Sequence, residues 1–117
     1  MSDSILLTIP AEARFRGVAT LVLGGIGARL DLPYERMDDL QLALLSTLDT
    51  CDGDGSVTVE VEAGEDDVAI RVGPLEDGGS SDAGLLRVLH SLVDSVEPTG
   101  RDDQEWITLR ISRTSSD

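Results

Sequence analysis

Lysine is absent from this 117-residue chain, and cysteine, histidine, tryptophan, tyrosine and phenylalanine occur once each. Each scarcity excludes something. One cysteine, Cys51, leaves no internal disulfide and favours a reducing, cytoplasmic setting. A lone His90 has no cysteine or second histidine with which to hold zinc, so no metal is expected. Phe15, Tyr34 and Trp106 are too few to build a base-stacking platform. No apolar run approaches the ~18 residues of a membrane span, and Met1–Ser4 lacks the basic start of a signal peptide. With 23 acids against nine arginines, the net charge is -14. Such a chain repels phosphate backbones, so direct nucleic-acid binding is not expected. A basic protein surface is the better electrostatic match, unless the charge serves solubility alone.

What is present is an ordinary globular balance, 40% hydrophobic and 27% charged. The length fits one domain over residues 1–117, ordered from about 5 to 112, with 113–117 as a tail. Residues 4–9 form a short strand that Pro10 ends. Phe15, Val18, Val22, Ile26 and Leu30 recur at helical spacing within a helix over 11–30. Its glycines each cost roughly 1 kcal/mol against alanine. Close approach of another element to Gly17, Thr20, Gly24 and Ala28 would offset that, either a sibling helix or a partner. A second helix, capped by Asp31 or Leu32, runs to about Thr50 with Met37, Leu40, Leu44, Leu48 and Cys51 on one stripe. Asp52-Gly53-Asp54-Gly55 stops it. Residues 56–63 alternate as a strand and pair with 68–72 in a hairpin. A glycine-rich loop over 73–82 leads to a helix over 83–96, capped by Ser81 or Asp82. Residues 97–104 read as a loop and 105–112 as the closing strand, with Trp106 in the core. The order β-α-α-β-β-α-β points to an α+β two-layer sandwich with helices on one face of a mixed sheet.

Several motifs invite chemistry and fail on spacing. Gly24-Gly25-Ile26-Gly27 sits late in a helix and is not a dinucleotide fingerprint. Thr50-x-Asp52-x-Asp54-Gly55 opens like a calcium loop, but its bidentate position falls on Val61 in a strand. Nothing places Ser46 or Ser91 productively beside His90. Cys51, near Asp49 and Asp52, should have a raised pKa and low reactivity.

The order of elements and the wording of several segments resemble anti-sigma factors of the RsbW/SpoIIAB kind, serine kinases of the histidine-kinase-like ATPase superfamily. The likeness is carried by Ile9-Pro10-Ala11, by Val18-Ala19-Thr20-Leu21-Val22, by Asp39-Leu40-Gln41-Leu42-Ala43 and by the helix from Gly84 through Leu89 to Val96. It implies a Bergerat-type fold. It also implies that the family's E-x-x-x-N, a general base and a magnesium ligand, falls on Ser46 and Thr50. A serine or threonine hydroxyl is no base near neutral pH and replaces an asparagine amide poorly on a hard cation. The family's adenine-reading aspartate falls at Gly73 or Pro74, and of its later G-x-G only Gly84 stays. On this reading the chain is not an enzyme, needs no cofactor and binds a sigma factor, a STAS-type anti-anti-sigma protein or both, with a homodimer allowed. Arg14, Arg16, Arg29, Tyr34, Glu35, Asp38 and Asp39 are the expected contact residues. The alternatives are an active kinase using a shifted site such as Asp49 and Asp77, with magnesium and ATP, and a dimerisation or scaffold module.

Overall fold

A computed structural model describes residues 3–51 and 55–113. The expected Asp52–Asp54 turn and the tail over 114–117 lie outside the described residues. Among the described residues, five strands and three helices follow one another: β1 (Asp3–Pro10), α1 (Arg16–Arg29), α2 (Tyr34–Leu48), β2 (Ser56–Ala63), β3 (Asp67–Leu75), α3 (Ala83–Leu92), β4 (Ser95–Arg101) and β5 (Gln104–Ser112). Short 3-10 turns precede α1 at Ala13–Phe15 and α3 at Gly79–Ser81. The strands form one sheet in the order β1-β2-β3-β5-β4.

Every pairing in that sheet is antiparallel, so the expected mixed sheet is corrected. The extra strand is β4, where a helix end and a loop were expected. It is an edge strand, exposed from Glu97 to Arg101, and an edge tolerates Pro98, which cannot donate to a ladder. Asp102 and Asp103, both with positive φ, make the two-residue turn into β5.

Alternation sets the layers. Val57, Val59 and Val61 of β2 and Ile107, Leu109 and Ile111 of β5 face the helices in one core with Leu40, Leu44, Leu48 and Leu89. Each fully buried leucine of α2 contributes about 1.5–3 kcal/mol, and Leu40 and Leu44 have no exposed surface. The α2 stripe thus holds from Leu40 through Cys51, with Met37 half-buried.

The α1 stripe differs from the expected one. The buried residues are Ala19, Leu23, Ile26 and Gly27, while Val18 is 42% and Leu21 77% exposed. The close neighbour of α1 is α2. A Cβ at Gly24 would lie 3.2 Å from the Gln41 amide nitrogen, and one at Gly27 would collide with the Met37 sulfur. Gln41 also donates to the Thr20 carbonyl at 3.0 Å. Gly17 meets nothing, and Ala28 is exposed, so those two do not take part in this approach.

Asp31 does not cap α2. It is left-handed, with φ 55°, and ends α1: Asp31 N–H donates to Ala28 O and Leu32 N–H to Gly27 O, the paired bonds of a Schellman ending. Pro33 takes the N-cap position of α2 without a side-chain cap. The residues after β5 are also held, at least to Arg113. Its guanidinium donates to the carbonyls of Gly64 at 2.7 Å and Leu30 at 3.2 Å, so the tail does not begin at residue 113.

Candidate functional site

The end of α2 carries the two positions that the resemblance gives to a base and a metal ligand. Ser46 and Thr50 are both half-buried. The Thr50 hydroxyl donates back to the Thr47 carbonyl at 2.7 Å, and the Thr50 carbonyl accepts the Glu76 amide at 2.9 Å. Gly79 completes the contact, since a Cβ there would lie 3.6 Å from Thr50 Cβ and 3.1 Å from Leu75 Cβ. The loop after β3 therefore rests directly on the helix end.

Glu105, the second residue of β5, fixes that loop. Its carboxylate accepts from the Ser80 hydroxyl, the Gly78 amide at 2.7 Å and the Ser80 amide at 3.1 Å. The Ser80 hydroxyl first, then the two amides, hold the Glu105 carboxyl below its ordinary range. Sequence reasoning missed Glu105, because nothing in the alternation of β5 marks its partner as a loop 25 residues earlier. Asp82 then caps α3 by accepting the Leu85 amide at 2.9 Å, which decides between Ser81 and Asp82.

Gly73, which with Pro74 is where the resemblance puts the adenine-reading carboxylate, lies under Trp106. A Cβ there would come within 2.4 Å of the indole. Trp106 is buried as expected, but on the sheet face opposite the helices, outside the cluster that the helices cover. The Arg101 guanidinium covers the ring 4.3 Å from its centroid and pairs with Glu60. The side chains at 46, 50 and 73 thus offer no carboxylate base, amide ligand or adenine-reading acid. A magnesium nucleotide held through those three positions does not fit.

Asp49 and Asp77, the carboxylates of a shifted site, have different surroundings. Asp49 pairs with Arg16 at the start of α1. Asp77 lines a cleft with Asp103 and Trp106. Burial pushes the Cys51 thiol up to about 12, with Arg16 opposing and Glu76 adding to the shift. His90 is exposed. No cluster of metal-ligating side chains occurs among the described residues.

Of the expected contact residues, Arg14, Arg29, Tyr34, Glu35 and Asp38 are exposed, whereas Arg16 and Asp39 are half-buried. Arg16 turns inward, with its Nε buried and without a partner. The missed feature is the face beside them. Gly17, Val18, Leu21, Gly25 and Ala28 of α1 are all exposed and none carries charge.

No protein-family model matches the chain. Curated relatives do. Proteins named serine-protein kinase RsbW from Listeria innocua serovar 6a and from Listeria monocytogenes serotype 4a are each 32% identical over 88 residues, 69% of this chain and 54% of theirs. The chain is RsbW-like. The RsbW protein of Listeria monocytogenes serovar 1/2a matches to the same extent. The α+β architecture, with its five-stranded sheet and three helices, is compatible with the histidine-kinase-like fold that this likeness implies. This RsbW-like chain spans about half the length of the curated relatives it matches. Their printed name corrects one expectation. Relatives called protein kinases point toward phosphate transfer, and the expectation of a chain that is not an enzyme does not stand. Among the described residues, no helix is long and apolar enough to cross a membrane.

Proposed function

We propose that this chain is a cytoplasmic regulatory domain of the anti-sigma kind, which acts by holding a sigma factor, a STAS-type anti-anti-sigma protein or both. The observation that carries the binding function is the outer face of α1. In a chain with 27% charged residues, that face presents Val18 and Leu21 to solvent between glycines that leave open space. Exposed apolar surface rimmed by polar residues marks an interaction site. Arg14 and Arg29 flank it, and Tyr34, 87% exposed, stands at the start of the next helix. The net charge of -14 suits a basic partner, whose association weakens as salt screens it.

The test is affinity for sigma and STAS proteins with Leu21→Asp in place of the parent. Leu21 contributes nothing to the core, so the fold should persist while binding falls at least roughly tenfold. Unchanged affinity would remove α1 from the contact surface.

A second reading, serine kinase activity toward a STAS protein, is favoured by the name of the relatives. Magnesium and ATP enter only with this reading, and their site would have to use carboxylates elsewhere, since residues 46, 50 and 73 are serine, threonine and glycine. Calorimetry with magnesium-ATP, followed by a phosphate-transfer assay, separates it from binding alone.

A further inference from the structure

The two edges of the sheet are built differently. β4 is guarded: Pro98 takes a donor from its ladder, and Glu97 and Arg101 put charge on it. β1, the opposite edge, has no guard between Ser4 and Ile9. That stretch holds no charge and no proline, and its register with β2 runs unbroken. Leu6, at 67% exposed, and Ile5, at 36%, lie on its two faces. Beside Ile5 a cavity of about 60 Å³ is left between Ile26, Leu30 and Val61. One hydrogen bond fixes which main-chain groups of β1 are free. Ala11 N–H donates to Gly55 O at 2.9 Å, in register with the β1–β2 pairing. Antiparallel strands exchange bonds at every second facing pair, so Ile9, Leu7 and Ile5 bond to β2. The N–H and C=O groups of Ser4, Leu6 and Thr8 therefore point away from the sheet. Pro10 falls at the next outward place, where its missing N–H costs no bond to β2.

We propose that two copies of this chain pair β1 against β1, antiparallel, about a two-fold axis at Leu6. The outward groups are self-complementary in this register. Leu6 faces the partner's Leu6, Ser4 faces the partner's Thr8, and Thr8 faces the partner's Ser4, each facing pair exchanging both its N–H···O bonds. A slip of one residue sets outward groups against residues already bonded to β2. The axis falls on the most exposed apolar side chain of the strand, which its own copy then covers. On the other face Ile5 meets the partner's Leu7 beside the cavity. A chain of net charge -14 meets itself best where acids are absent or paired. Glu60 and Glu62, the acids beside Leu6, are paired with Arg101 and Arg71. A contact between identical surfaces closes on itself, and it leaves only the guarded β4 edges at the ends of the joined sheet. The pairing rests on the strand alone and not on the binding function assigned to α1.

Light scattering behind a sizing column, at physiological ionic strength, should give the mass of two chains. Leu6→Lys sets two cations across the axis and should weaken the pair at least roughly tenfold, while circular dichroism shows the fold kept. Val88→Lys, at a 44% exposed position of α3, should change it less than about twofold. Engineered cysteines read the register. Oxidation should link Leu6→Cys chains to each other, because bonded antiparallel partners stand about 5.5 Å apart at Cα, within disulfide reach. Ser4→Cys and Thr8→Cys should link only when the two variants are mixed, since each alone lies about 13 Å along the strand from its own copy. The parent, whose Cys51 is buried, should stay unlinked. A single-chain mass at every concentration overturns the proposal, as does a dimer that Leu6→Lys leaves intact. Linking of Ser4→Cys alone as fast as Leu6→Cys also overturns it, since that means another register or chance collision.

Discussion

Gly73→Ala tests the placement of Trp106 most directly. The new Cβ would stand 2.4, 2.6 and 2.8 Å from three carbons of the indole. Carbon atoms rest at about 3.5–4.0 Å, so the ring must retreat by about 1 Å. It cannot retreat freely, because Arg101 lies 4.3 Å above its centroid and is itself paired with Glu60. Overpacking of this kind costs about 1–3 kcal/mol. Urea slopes of about 1–3 kcal/mol per molar then put the fall in unfolding midpoint between roughly 0.3 and 3 M. Tryptophan emission of the folded variant should shift as the ring moves, while circular dichroism follows the unfolding. Gly25→Ala is the control. It sits within α1 with nothing near its would-be Cβ, so it should stabilise by about 0.5–1 kcal/mol. A Gly73→Ala midpoint equal to the parent's, with unchanged emission, would refute the stacking of Trp106 on Gly73.

Further outcomes follow from the same geometry. Leu44→Ala, in a site with no exposed surface, should cost about 2–5 kcal/mol in a urea melt; a cost below about 1 would mean the core closes around the loss. Cys51, with its thiol pushed up to about 12, should resist alkylation at pH 8 in the folded protein and react once urea unfolds it, since only about one thiol in 10⁴ is ionised. Fast labelling of the native chain would contradict its burial. The Glu105 carboxyl is held below the free value of about 4.3. Its contribution to stability is therefore fully present above that pH and is lost as pH falls through the lower folded value. Gly78 and Ser80 amide shifts should titrate with a midpoint below 4.3, and a midpoint at or above it would mean the carboxylate is unbound.

Where one face is apolar and the other polar, the sequence could be read residue by residue. The alternation of 56–63 matches β2 residue for residue, and the α2 stripe from Leu40 to Cys51 is the buried one. α1 could not be read so, because its apolar residues surround the helix; the choice between Val18 and Ala19 as the inner face was made by Gln41 and Met37 on α2. β4 carries no apolar alternation at all, being mostly exposed from Glu97 onward, and its backbone ladder alone makes it a strand. With β4 unseen, the Arg101–Trp106–Gly73 stack could not be anticipated, nor could the open face on which Trp106 lies. At the site, Ser46, Thr50 and Gly73 or Pro74 were singled out by resemblance alone, and what the structure adds is their surroundings. The packing of Gly79 against Thr50 and the grip of Glu105 on the loop are long-range contacts that no local pattern encodes.

Glu105 joins a loop to a strand that is made much later in the chain. The amides of Gly78 and Ser80 end on its carboxylate, and Glu105 belongs to the ladder shared by β3 and β4. Seen as a unit of opening and closing, the segment over 76–82 is therefore an outlying part of the sheet rather than an independent surface loop. Its amides should exchange with solvent only when the near end of β5 lets go. A partner that loosens that end of the strand would release the loop from α2 at the same moment.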